Sequence, residues 1–138
     1  TFGYFAIYVG FTQATVIGVD VTDQPYGGLA DLRPLIASGM HRIVLADVTD
    51  RAQIDHHFGG SVFDVVIDDG SHDVGQQLAA YNNLRDRLRP DGIYIIEDIA
   101  DLDRDREMFE TIDLARRITI LDRRALKNRF DDVLVVIR

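Results

Sequence analysis

Two acidic segments of this sequence each follow an apolar run, and their residue types are suited to chemistry. The first segment, Asp68–His72, reads Asp-Asp-Gly-Ser-His, and the second is Glu97-Asp98. Carboxylate oxygens are the ligands that hard divalent cations prefer in proteins. Histidine has an ordinary pKa close to neutrality, which suits a general base. This pattern is typical of a metal site built from Asp69, Glu97 and Asp98, with His72 as a base beside it.

Each of these residues also has an ordinary structural explanation. Carboxylates that follow strands can cap helices or pair with the arginines nearby, and a single histidine can be a capping or core residue. Three carboxylates packed together without a cation would force at least one of them to take up a proton. Spacing alone leaves both interpretations of the acidic residues open, whereas the acidic neighbours favour a functional His72.

The elements that must position these residues alternate between strands and helices. Strands are predicted at 14–19, 42–46, 62–67 and 93–96, helices at 29–38, 51–58, 74–88 and 102–116, and two closing strands at 118–121 and 133–137. This alternation predicts an α/β fold with a mostly parallel, Rossmann-like sheet and helices on both faces. Ligands of such sheets bind just beyond the carboxyl ends of the strands, where both acidic segments are expected to lie.

Three local features complete this prediction. Pro90-Asp91-Gly92 is predicted to form a turn that leads into the strand at 93–96. In the helix at 102–116, Met108 is predicted to face the core together with Ile112 and Ala115. The basic link at 123–129 is interpreted as a solvated loop.

Composition narrows the class of protein. With 138 residues, the chain is long enough for one domain with one core, and we expect a single domain at 1–138. The absence of cysteine excludes disulfides, thiolate metal sites and a cysteine nucleophile. A net charge of -8 makes nucleic acid an unlikely partner. No apolar stretch is long enough to span a bilayer, so we expect no membrane partner. The absence of cysteine is compatible with a reducing cytoplasm, where we expect the protein to lie.

Acidic residues also follow the strands at 14–19 and 42–46. An acid at the end of the second strand of a nucleotide-binding α/β unit accepts hydrogen bonds from ribose hydroxyls. Asp20 fits that role if another strand precedes it, and Asp47 is suitably placed to contact an adenine amino group. Asp68 is the third candidate for cofactor binding, although each of these residues alone is more readily explained as a helix cap or a solvated loop residue.

Residues 64–72, DVVIDDGSH, followed by residues 88–99, LRPDGIYIIEDI, resemble the class I S-adenosylmethionine-dependent methyltransferases. Within that class they are most similar to the metal-dependent macrolide sugar O-methyltransferases of the mycinamicin and macrocin type. The combination of IDDGSH and IEDI at this separation is fairly specific. The resemblance implies a seven-stranded sheet whose last strand is antiparallel.

The resemblance also implies roles for individual residues. Asp69, Glu97 and Asp98 match the positions that hold Mg²⁺ in those enzymes, and His72 matches the proposed general base. Asp20 matches the ribose-binding acid, and Asp47 the residue on the adenine side. The implied reaction is the transfer of a methyl group from S-adenosylmethionine to a hydroxyl of a small molecule, such as a sugar or a glycosylated natural product.

One feature of that class is not found in this sequence. Its glycine-rich loop follows the pattern E/D-x-G-x-x-x-G, which Thr1–Gly10 does not match. We expect either a domain that is incomplete at its N-terminus, with the first strand and glycine loop missing or altered, or a non-catalytic methyltransferase-like binding domain that has lost the loop.

A receiver-like domain is a third interpretation. Receiver domains carry a lysine after a late strand, but the only lysine here, Lys127, lies in the closing link. This interpretation therefore ranks last. The sequence does not identify the methyl acceptor, and it leaves open whether the chain forms a homo-oligomer.

Overall fold

The computed structural model describes residues 14–22, 37, 39 and 41–138. Residues 1–10 and almost all of the helix predicted at 29–38 lie outside the described residues. The chain divides into two compact units, residues 1–57 and 58–138. The single domain expected at 1–138 stays a prediction.

The first unit contains a pair of parallel strands. Strand β1 (Ile17–Asp20) and strand β2 (Arg42–Leu45) pair in register from Ile17 opposite Arg42 to Asp20 opposite Leu45. Helix α1 (Arg51–Phe58) begins after Asp50, whose carboxylate accepts a hydrogen bond from the Ala52 amide. Both strands and this helix lie where the sequence predicts them, within a few residues at each end.

The second unit is organised around a four-stranded sheet. Its strands are β3 (Phe63–Asp68), β4 (Leu88–Ile96), β5 (Ile118–Asp122) and β6 (Val133–Ile137), in the order β3-β4-β6-β5. Strands β3 and β4 are parallel, whereas β6 is antiparallel to both β4 and β5. The final antiparallel strand of the predicted fold is therefore confirmed.

Two helices of this unit are shorter than predicted. Helix α2 (Val74–Leu84) begins at Asp73, whose side chain accepts from the Gln76 amide, and it passes into a 3₁₀ turn at Arg85–Arg87. The helix predicted at 74–88 is wrong at its end because Leu88 already pairs with β3. Helix α3 (Leu102–Glu110) ends where Thr111 donates its amide and hydroxyl to carbonyls of the last turn.

The residues predicted as a turn, Pro90-Asp91-Gly92, instead lie inside β4. Phe63 pairs with Leu88, but Val65 pairs with Ile93, so the extra residues form an irregularity in the strand. A Cβ atom on Gly92 would lie 2.9 Å from Leu88 Cγ, a distance that side chains do not tolerate. Glycine is therefore required for this close approach.

The core of the second unit includes two tyrosines in contact with each other and one face of α3. The rings of Tyr81 and Tyr94 pack edge to face with centroids 5.0 Å apart, and both residues are fully buried. On α3, Leu102 and Phe109 are buried, but Met108 is 44% exposed. The prediction that Met108 faces the core is wrong because the buried stripe is offset by one residue. No helix in the described ranges is both long and apolar enough to cross a membrane.

Candidate functional site

The candidate site lies in the second unit, at the carboxyl ends of β3 and β4. These strands are parallel neighbours, so their ends lie side by side, and the Glu97 amide donates to the Asp68 carbonyl at 2.9 Å. This pairing brings the two acidic segments together. Asp69, His72 and Asp98 each offer a ligand atom, and these atoms lie within 4.8 Å of one another.

Glu97 is not one of these three residues, but it is coupled to them electrostatically. Partial burial raises the pKa of the Glu97 carboxyl, and the negative charges of Asp69 and Asp98 raise it further. The carboxylates that the sequence assigns to a metal site therefore repel one another. A divalent cation between them would relieve this repulsion.

The backbone at Asp98 adopts an unusual conformation. Asp98 has a φ of 54°, in the left-handed region that a non-glycine residue rarely adopts. The backbone of the preceding residue, Glu97, is fixed by a side chain, because the buried Gln77 donates to the Glu97 carbonyl at 3.2 Å. Strain of this kind persists where surrounding contacts fix the backbone, and it is common at functional sites.

The loop that carries His72 is fixed by hydrogen bonds on both sides of it. The Gly70 amide donates to Asp68 Oδ1 at 3.2 Å, and the Asp73 amide donates to Ser71 Oγ at 3.2 Å. The His72 side chain is 41% exposed, and its Nε2 lies 3.9 Å from Asp98 Oδ2. Its imidazole can therefore meet a ligand from solvent while it faces the acidic cluster.

Asp68 differs from its neighbours because it is turned toward the protein interior. Burial raises the pKa of its carboxyl to about 6, although hydrogen bonds from the Gly70 amide and the Tyr94 hydroxyl oppose this rise. The Tyr94 hydroxyl lies 3.4 Å from Asp68 Oδ2. These contacts give Asp68 a part in holding the loop, and its contact with a cofactor stays a prediction.

The other two cofactor candidates belong to the first unit. Asp20, at the end of β1, accepts one hydrogen bond from the Thr22 amide at 3.3 Å. Asp47 accepts from both the amide and the hydroxyl of Thr49, at 2.8 and 2.7 Å, and its own amide donates to Gln53. Both carboxylates take part in turns of their own loops, and Asp47 is held more firmly.

Sequence reasoning missed two residues that contact the site. Gln77 lies on α2, and its contact with the Glu97 carbonyl is apparent only once β4 is placed. Arg129 lies in the basic link interpreted as a solvated loop, yet its Nη2 donates to Asp98 Oδ2 at 3.1 Å. A short helix, α4 (Arg124–Lys127), also forms in that link.

Solved structures of similar fold are methyltransferases. An rRNA methylase from Streptococcus thermophilus aligns with a TM-score of 0.65 and 20% identity, covering 97% of this chain and 78% of that one. The MycE methyltransferase of the mycinamycin biosynthetic pathway, solved with Mg and SAH, aligns with a TM-score of 0.59 and 18% identity, covering 99% and 47%. The predicted Rossmann-like fold class is confirmed.

The relatives found by sequence similarity have names that specify the reaction more narrowly than those of the similar structures. A Streptomyces olivaceus protein named 8-demethyl-8-alpha-L-rhamnosyl tetracenomycin-C 2'-O-methyltransferase is 30% identical over 89 residues, which are 64% of this chain and 21% of that protein. A 3'-O-methyltransferase from the same organism, named for the 2-methoxy-rhamnosyl tetracenomycin, is 51% identical over 37 residues, 27% of this chain and 10% of that protein. No protein-family model matches the chain.

These relatives confirm the resemblance to S-adenosylmethionine-dependent methyltransferases, including enzymes named for sugar O-methylation. The matched segments amount to about a fifth and a tenth of the two relatives' lengths.

Proposed function

We propose that this chain carries out S-adenosylmethionine-dependent O-methylation of a hydroxyl on a small molecule, such as a sugar or a glycosylated natural product, with the assistance of a divalent metal. The observation that carries the proposal is the convergence of Asp69, His72 and Asp98 at the ends of two parallel strands. The relatives named as rhamnosyl O-methyltransferases support the type of acceptor.

The residues of the cluster fit a hard divalent cation. Asp69 and Asp98 of this cluster would supply carboxylate oxygens and the neighbouring Glu97 would be a third acid, and oxygen-rich sites suit Mg²⁺ or Mn²⁺. The pKa of Glu97 is further support, because burial raises it and the negative charges of Asp69 and Asp98 raise it further, a repulsion that a bound cation would relieve. A metal bound here would lower the pKa of an acceptor hydroxyl.

His72 is the residue that we propose as general base. Its Nε2 would take the proton of the acceptor hydroxyl while the oxygen attacks the methyl group of the sulfonium. That attack breaks the bond between sulfur and carbon and leaves S-adenosylhomocysteine. The nearby Asp98 carboxylate would stabilise the protonated imidazole, and the exposed ring can then release its proton to solvent.

We propose that Asp20, Asp47 and Asp68 bind the cofactor. Asp20 is the best candidate for the ribose hydroxyls, because its one hydrogen bond within the described part of the chain is long and leaves acceptor capacity on the carboxylate. Cytoplasmic location and the absence of nucleic acid partners stay predictions that rest on composition.

Calorimetric titration of the 138-residue chain with S-adenosylmethionine, with and without Mg²⁺, tests the proposal. We expect binding in the micromolar range that is characteristic of small-molecule sites. Production of S-adenosylhomocysteine with a rhamnosylated acceptor, compared with an rRNA fragment, would then identify the acceptor class. A well-folded sample that binds no cofactor would mean that the missing glycine-rich loop matters, and the same result with a longer protein would favour the non-catalytic binding domain.

A further inference from the structure

Arg129 forms an ion pair with a residue of the candidate metal site. Its Nη2 lies 3.1 Å from Asp98 Oδ2, and this same oxygen lies 3.9 Å from His72 Nε2. The guanidinium therefore contacts the Asp98 oxygen that faces the imidazole. Thirty-one positions separate Arg129 from Asp98 in the chain, so the contact is a product of the fold.

A guanidinium and a divalent cation have the same sign of charge, so they compete for the same carboxylate oxygen. Arg129 also has a second partner. Its Nε and Nη2 lie 3.2 and 3.1 Å from Asp131 Oδ1, and the Asp131 side chain is only 12% exposed. Arg129 can therefore leave Asp98 and still keep one carboxylate partner.

The exposure of Arg129 allows such a movement. The Arg129 side chain is 50% exposed, so its guanidinium has solvent on one side. Rotation about its side-chain bonds can break the contact with Asp98 without any change in the sheet.

We propose that Arg129 is a positioning residue that holds the Asp98 carboxylate until a divalent cation takes its place, when the guanidinium remains with Asp131 alone. This inference rests on the proposed function, since it assumes that the cluster binds a metal. Arg129 thereby keeps Asp98 oriented toward His72, and it lowers the apparent affinity of the site for metal.

The test compares Mn²⁺ binding, measured by electron paramagnetic resonance, in three variants. Arg129→Met keeps the length of the side chain but removes its charge, and we expect its dissociation constant to fall about threefold, the scale of a partly exposed ion pair. Arg129→Lys keeps the charge and should bind close to wild type. Arg124→Met is the matched control, because Arg124 lies in the same link but pairs with Asp103 and Asp122.

A second measurement follows the arginine directly. With ¹⁵N-labelled protein, saturation with Mg²⁺ should shift the Nε signal of Arg129 and leave that of Arg124 in place. If wild type binds Mn²⁺ and Arg129→Met binds it equally or more weakly, the inference is overturned and the proposed function stands. If no variant binds Mn²⁺, the metal-assisted function fails and this inference fails with it.

Discussion

The two units of the chain place acids at strand ends in different ways. In the first unit, Asp20 and Asp47 each follow a strand and accept hydrogen bonds from a threonine two positions later. In the second unit, Asp69 and Asp98 follow neighbouring strands and converge with His72. A strand followed by an acid is thus one sequence pattern with two structural outcomes.

The difference shows what separates a turn residue from a site residue. Asp47 satisfies the backbone of its own loop, so its carboxylate has a structural use without any ligand. In the second unit, Asp69 and Asp98 instead lie close to Glu97, whose pKa is raised by burial and raised further by the charges of these two acids. Acids gathered from two neighbouring strand ends, rather than an acid at a single strand end, are the stronger indication of a ligand.

Replacement of His72 is expected to have the largest effect. His72→Ala should lower the turnover of methyl transfer by about 10²–10⁴-fold, the usual contribution of a general base, while the affinity for S-adenosylmethionine stays the same. His56→Ala on the exposed side of α1 is the control. A parallel loss of Mn²⁺ affinity in His72→Ala would instead make the imidazole a metal ligand.

Asp69→Asn should weaken metal binding by about 100-fold, equivalent to about 2.7 kcal/mol, because it removes one negative charge from the cluster. The control is Asp64→Asn on β3, the strand that Asp69 follows, where the carboxylate is exposed and pairs with Arg89 at 3.0 Å. Mn²⁺ binding by both variants checks this prediction. Equal affinity of Asp69→Asn and wild type would remove Asp69 from the metal site.

Asp68→Asn should change how stability depends on pH. The pKa of Asp68 is raised from 3.8 to about 6 in the folded state, so the folded protein binds more protons between these values. The contribution of Asp68 to stability is therefore present below pH 4 and is lost as pH rises through 6. Asp68→Asn has no titrating carboxyl at this position, so it does not show this pH-dependent loss of stability.

Urea unfolding in EDTA at pH 4, 5, 6 and 7 checks this prediction. Relative to wild type, Asp68→Asn should gain about 2 kcal/mol between pH 4 and 7. Glu97 is present in both proteins, so its own titration largely cancels in the difference. A difference that is independent of pH would mean that the Asp68 carboxyl titrates in the folded protein as it does in the unfolded one.

Local sequence patterns predicted the beginnings of helices and most of the strands well, with the start of β4 as the exception. The β-branched runs of β3 and β6 and the capping Asp73 are signals that lie within a few residues of the feature they specify. The convergence of the two acidic segments followed from the parallel pairing of β3 and β4, which the alternation of elements predicted.

The features that sequence did not predict depend on contacts distant in the chain. Helix α2 ends at Leu84 because Leu88, one 3₁₀ turn later, already pairs with Phe63, and Gln77 contacts the Glu97 carbonyl twenty positions away. In the sequence, Arg129 is one of several arginines in a polar link. Its partner, Asp98, follows β4 and is far away in the chain. No local pattern reports such pairings, since they arise only when the sheet is assembled.

The smallest effects should distinguish Asp20 from Asp47. Asp20→Ala loses only one long internal hydrogen bond, so the free energy of unfolding should change little, while the dissociation constant for S-adenosylmethionine should rise about fivefold. Asp47→Ala loses two short hydrogen bonds to Thr49, and it should cost about 1 kcal/mol of stability with a smaller effect on cofactor affinity. Calorimetry and urea unfolding of both variants check the contrast. The contradicting result is that Asp47→Ala weakens cofactor binding and Asp20→Ala does not. The number of hydrogen bonds that an acid makes within its own loop would then not distinguish a turn residue from a ligand in the first unit.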